Sequence, residues 1–153
     1  VLSNMNETLT DKIGRQLLTV SYVYFDLERR KLFHANAGHW PLLVWQKRSQ
    51  TLHQLKPDGV IMGWLTGIDY PSLEIDLSPG DRILIYTDAI IETRNKADEL
   101  FGEERFHRLI RQKQELAAAE FADFLVKHLI AWSEQDNGLE DDLTLIVIDI
   151  LSS

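Results

Sequence analysis

The sequence predicts an α+β fold in which the helices are segregated from antiparallel strands, on three observations. Short runs rich in β-branched and aromatic residues, separated by turn signals, occupy residues 16 to 86. Two helical patterns then follow back to back, over Glu103–Lys113 and Ala117–Gln135. The chain closes on one more apolar run, Leu143–Ile150, that returns to the sheet.

Taken in order, Ser3 reads as a helix N-cap with Asn6 and Glu7 in the first turn. Leu2, Met5, Leu9 and Ile13 fall at helical spacing, and Gly14 ends the helix. Gln16–Leu27 reads as a long strand and Asp26–Arg30 as its turn. Lys31–Ala35 and Leu42–Gln46 are two more strands, joined by residues 36–41, and Thr51–Leu55 is a short one. A loop containing Gly59, Gly63 and Gly67 follows. Ser72–Leu77 and Asp81–Tyr86 read as a hairpin turning at Ser78, Pro79 and Gly80, a strong turn signal. Asp88 opens a short helix to about Thr93, and a polar loop runs from Arg94 to Glu99. In the last helix Phe121, Phe124, Leu125, Leu129 and Trp132 form an apolar stripe suited to core packing, and Gly138 breaks that helix. Trp45 and Trp64 read as core residues, with part of a partner surface as the alternative.

Composition excludes several function classes. With 153 residues the chain is long enough for one domain, burying about 68–70% of its unfolded surface. It has no cysteine, which removes disulfides, zinc–thiolate sites and thiol nucleophiles. A net charge of −8 argues against binding a phosphate backbone. No apolar run reaches the about 20 residues needed to span a bilayer, and a cytoplasmic location is expected. The glycines match neither dinucleotide-binding nor P-loop patterns, and no nucleophile elbow is present. His34, His53, His107 and His128 show no ligand spacing with one another, so packing or surface roles are expected for them.

Two acidic ends carry the chemistry. The apolar run Ile83–Tyr86 delivers Asp88 just past its C-terminal end, whereas Asp141 and Asp142 come just before the run from Leu143. If the two strands are antiparallel, both acidic ends share one edge of a sheet, where carboxylates suit a hard divalent cation. Asp88 and Glu92 are spaced i, i+4, a repulsion of about 0.2–0.5 kcal/mol on an isolated helix that a cation would reverse. The competing reading is plain helix capping by Asp88, a solvated Glu92 and a solubilising loop at Asp141–Asp142. Alternation along an extended chain allows at most one of Asp141 and Asp142 to face a common site.

Four blocks, in order, resemble the metal-dependent protein phosphatases of the PPM family, in particular the bacterial SpoIIE/RsbU type. PGDRILIYTDAIIETRN (79–95) resembles the block PGD-hydrophobic-YTDG-x-x-E-x-x-N. ANAGHWPLL (35–43) resembles ANAGHPPPLL, LFGEERF (100–106) resembles FGxERL, and EDDLT (140–144) resembles DDxT. The resemblance spans nearly the whole chain and implies an antiparallel β-sandwich flanked by helices. It also implies two Mn2+ or Mg2+ ions per complete domain, with metal-activated water rather than a side chain as nucleophile on phosphoserine or phosphothreonine. By motif position Asp88 and Asp141 would be metal ligands, with Glu92 near an additional metal site and Asp142 and His39 as candidate borders. A histidine that merely caps a turn is the alternative for His39.

The chain departs from the pattern in places. Position 89 is Ala where the family has Gly: a strain if the backbone needs positive φ, harmless if it is helical. Trp40 replaces a common Pro. The Gly-Asp and Asp-x-x-Gly-His-Gly blocks, which supply the remaining ligands, are absent. Residues 1–153 are therefore expected to form the C-terminal part of a single, N-terminally incomplete phosphatase domain, inactive alone and carrying at most half a metal site. The resemblance further implies a phosphorylated anti-sigma-factor antagonist as substrate, an N-terminal sensor or receiver domain in the parent chain, and no nucleic-acid or membrane partner. Unpaired edges of an incomplete sandwich would favour a homo-oligomer. The rival expectation is a non-catalytic phosphatase-like module that binds a regulatory protein.

Overall fold

The computed structural model describes residues 1–10, 12–13, 16–134, 139 and 141–152. Its described elements run α1 (Leu2–Leu9), β1 (Val20–Asp26), β2 (Lys31–Ala37), β3 (Leu42–Gln46), β4 (Thr51–Leu55), β5 (Ser72–Asp76), β6 (Arg82–Tyr86), α2 (Ala89–Glu92), α3 (Gly102–Gln112), α4 (Ala118–Ser133) and β7 (Leu145–Asp149). After α1 this is the expected α+β order, with strands, then helices, and a return strand last. The chain forms two compact units, Val1–Leu42 with Gln54–Ser78, and Leu43–His53 with Pro79–Ser153.

The first unit holds a three-stranded antiparallel sheet in the order β1-β2-β5. Strand β2 is central and runs two residues beyond the expected Ala35, because Asn36 and Ala37 still pair with Ser21 and Val20. Helix α1 starts two residues earlier than expected: its N-cap is Val1, and Ser3 lies inside it. The cause is burial. Leu2 is 2% exposed and clusters with Ala35, Ala37 and Met62, so ordering Leu2 within the helix outweighs a Ser3 cap. The helix stops at Leu9, short of Ile13; Gly14, its expected stop, lies outside the described residues. Asn6 is fully buried, accepting from the Gly63 N–H at 2.9 Å and donating to the Leu65 carbonyl at 2.6 Å. That clamp holds the intervening Trp64 outward, 63% exposed, which corrects its expected place in the core. At Gly59 a Cβ would fall 1.7 Å from the Asn36 carbonyl oxygen, so this close approach admits only glycine.

The second sheet has the order β4-β3-β6-β7. Strands β5 and β6 do not form the expected hairpin: β5 pairs with β2, while β6 pairs with β3 and β7. The turn at Ser78–Gly80 is real, but its flanks are satisfied elsewhere. The Leu77 N–H donates to the Arg30 carbonyl at 2.8 Å and the Gly80 N–H to the Ile150 carbonyl at 2.7 Å. Asp81 is 1% exposed and accepts from the Lys47 N–H, anchoring the start of β6. Trp45 is buried as expected. Helix α4 packs on β7, with Phe121, Leu125 and Leu129 fully buried. The outer part of its stripe is half-buried and covered by cations: Lys113 lies over Phe124 and Arg105 over Trp132. Gln135 and Gly138, the expected end and breaker of this helix, lie outside the described residues.

Candidate active site

Strands β6 and β7 are hydrogen-bonded antiparallel neighbours, with Tyr86 opposite Leu145 as their last pair. Asp88 therefore leaves the sheet at the edge from which Asp141 and Asp142 approach it, the arrangement the sequence required. A threonine beside each strand closes the junction. The Thr87 N–H donates to the Thr144 carbonyl at 3.1 Å, and the Thr144 N–H donates to the Thr87 hydroxyl at 3.0 Å. The same hydroxyl donates to the Asp142 carbonyl at 3.4 Å.

Asp88 is the N-cap of α2, and its carboxylate accepts from the Ala89 N–H at 3.1 Å. The Glu92 N–H donates to the Asp88 carbonyl, which places Glu92 one helical turn on. The Asp141 carboxylate accepts from the Asp142 N–H at 2.8 Å. Glu92 and Asp141 line one cavity of about 370 Å³, together with Thr93, Arg94, Leu100 and Ser133. Of the adjacent acids it is Asp141 that lines this cavity, and Asp88 is not among the described residues lining it. Ala89 is helical and 4% exposed, so Ala in place of Gly carries no strain here.

His39 belongs to the first unit. Its N–H donates to the Asn36 side chain at 2.7 Å, Asn36 donates back to the His39 carbonyl at 2.9 Å, and the ring bonds Thr19 at 3.0 Å. These bonds build the turn-capping arrangement.

Carboxylate oxygens are the hard donors that manganese and magnesium take, so the donors at this edge suit such an ion in kind. Among the described residues no three acidic or histidine side chains converge on a point. An ion held by Asp88, Asp141 or Glu92 would therefore complete its shell with water or further ligands. Sequence reasoning missed Thr87, Thr144 and Arg94. The two threonines were signalled, each lying within two residues of an acid in its block. Arg94 was not, because only the pairing of Arg94 with Leu100 across a loop brings it to the cavity.

The sequence pattern of the family described as stage II sporulation protein E (SpoIIE) matches residues 1–151. The chain belongs to the SpoIIE family. It is 26% identical over 149 residues to the phosphoserine phosphatase RsbU of Bacillus subtilis, covering 97% of this chain and 44% of that protein. Its fold is similar to the SiaA-PP2C domain of Pseudomonas aeruginosa, with a TM-score of 0.82 at 20% identity, over 97% of this chain and 58% of that one. It is also similar to the catalytic domain of the serine/threonine phosphatase PstP, solved in complex with two manganese ions (TM-score 0.67, 12% identity, 98% of this chain and 68% of that one). The fold is thus that of PP2C-type phosphatase domains. This SpoIIE-family chain spans less than half the length of the curated relative.

Proposed function

We propose that this chain is the C-terminal part of a metal-dependent protein serine/threonine phosphatase domain. The observation that supports the reading is the β6–β7 junction, where Thr87, next to Asp88, is bonded to Thr144, which follows Asp141 and Asp142 in the chain. In this reading Asp88 and Asp141 hold Mn2+ or Mg2+, with Glu92 beside the site and Asp142 at its border, while His39 caps its own turn. Further acids come from sequence outside this chain. The bound cation would supply Lewis-acid activation and charge neutralisation for hydrolysis of the phosphomonoester. The chain's own part is to fix two carboxylates across a strand junction and to shape the cavity beside them.

The substrate we propose is a phosphoserine or phosphothreonine on an anti-sigma-factor antagonist, in a cytoplasmic pathway, with a sensor or receiver domain preceding the phosphatase. The likeness to RsbU, a phosphoserine phosphatase, supports the phosphoserine part of this reading. Among the described residues no helix is long and apolar enough to cross a membrane. One argument for the non-catalytic rival falls away, since Ala89 is accommodated in a helix. The test is manganese-dependent phosphate release from a phosphoserine protein by the full-length protein that contains this chain. Asp88→Asn and Asp141→Asn should each abolish it; turnover that survives both overturns the assignment.

A further inference from the structure

The cavity that holds Glu92 and Asp141 also holds a cation that the metal chemistry does not use. We propose that Arg94 is the phosphate-binding residue of this site, its guanidinium engaging the phosphoryl oxygens of the substrate; the substrate class rests on the phosphatase reading above.

Arg94 lies two residues beyond Glu92, where α2 has ended and Thr93 has turned the backbone extended. From there the chain forms a bonded loop. Arg94 bridges to Leu100, the Asn95 side chain accepts from the N–H groups of Ala97 and Glu99, and the Asn95 N–H donates to the Glu99 carbonyl. The Phe101 N–H then donates to the Thr93 carbonyl at 2.8 Å. Asp98, at φ 63°, turns its carbonyl and carboxylate toward Nη1 of Arg94, at 2.9 and 3.1 Å. One edge of the guanidinium is thereby fixed.

Electrostatics gives this cation a task. The cavity lining carries two carboxylates, in a chain of net charge −8, and a phosphomonoester dianion entering it is repelled. Arg94 opposes that field within the same cavity. Its planar fork suits two phosphoryl oxygens, and a side chain already anchored on Asp98 loses less entropy on binding than a free one. Thr93 and Ser133 are less suited, because their hydroxyls are already donated to the Ala89 and Ile130 carbonyls.

The experiment is calorimetric titration of the manganese-loaded full-length protein with inorganic phosphate, beside turnover of p-nitrophenyl phosphate and of a phosphoserine peptide. Arg94→Ala should weaken phosphate binding about tenfold or more and raise KM for both substrates alike. Arg94→Lys should recover part of the loss. Asp98→Ala removes the same loop contact but leaves the guanidinium, and should bind phosphate within about threefold of the unmodified protein. Equal losses in Asp98→Ala and Arg94→Ala, an effect confined to the peptide, or unaltered phosphate affinity in Arg94→Ala would each overturn the proposal. Arginine-dependent phosphate binding without any turnover would leave Arg94 in place and count against the phosphatase reading instead.

Discussion

Thr87 and Thr144 are bonded to each other in both directions, main chain to main chain at 3.1 Å and main chain to hydroxyl at 3.0 Å. The Thr87 hydroxyl thus extends the β6–β7 ladder past its last regular pair and sets where the Asp141–Asp142 segment begins relative to Asp88. Thr87→Val keeps the shape and deletes the hydroxyl. The lost bonds are worth about 1 kcal/mol, a factor of about five in metal affinity if the whole cost falls on the site. Manganese titration of activity in the full-length protein should show that weakening, with Thr87→Ser close to the unmodified protein. An unchanged manganese midpoint in Thr87→Val would show that the junction does not position the acids.

Ala89 tests the departure from the family pattern. Because it is helical and buried, Ala89→Gly restores the family residue at a cost of about 1 kcal/mol in helix propensity. Thermal unfolding should show a midpoint lower by about 2–4 °C, and turnover of the full-length protein should not rise. A large gain in turnover would mean that Ala89 holds the site in an inactive shape.

Much of this was legible in the sequence because it is local. Strands β3 and β4 fall where their β-branched and apolar runs place them, and Asp88 caps α2 as its position before Ala89 indicates. Pairing partners were harder. Ser78–Gly80 announces a reversal, yet a turn signal is silent on whether its flanks bond to each other, and here Leu77 and Gly80 bond to Arg30 and Ile150. Trp64 was misplaced for a related reason: its exposure depends on Asn6, distant in sequence, bonding the residues on either side of it. Within the site the acids were legible from composition at strand ends, whereas Arg94 reaches the cavity through loop bonds that no local pattern records.

Arg82 and Asp149 pair across β6 and β7 through two bonds, Nε to Oδ1 at 2.6 Å and Nη2 to Oδ2 at 2.9 Å, with Arg82 only 4% exposed. The guanidinium also donates to the Leu116 carbonyl and lies over the Phe121 ring. Removing the carboxylate leaves a buried cation with half its partners, so Asp149→Ala should cost about 3 kcal/mol in urea unfolding. The double change Arg82→Met with Asp149→Leu should cost less than Asp149→Ala alone, since no buried charge is then left behind. A larger loss in the double variant would show that packing of the arginine stem, rather than its charge, dominates.

His34 should make stability depend on pH. It is fully buried on β2 and bonds Ser21 at 3.0 Å. Burial pulls its pKa down to about 4, opposed by a contact with the Leu55 backbone and reinforced by the His39 charge. Between pH 6.5 and about 4 the unfolded chain therefore binds a proton at His34 that the folded chain does not. Stability must then fall as pH drops through that window, by up to about 1.4 kcal/mol per unit from this residue. His107, also lowered by burial, adds a slope of the same sign. Urea unfolding at several pH values across the window should show the decline, and His34→Gln should flatten it while leaving the His107 part. An equally steep decline in His34→Gln would mean that the buried imidazole is protonated in the folded chain too.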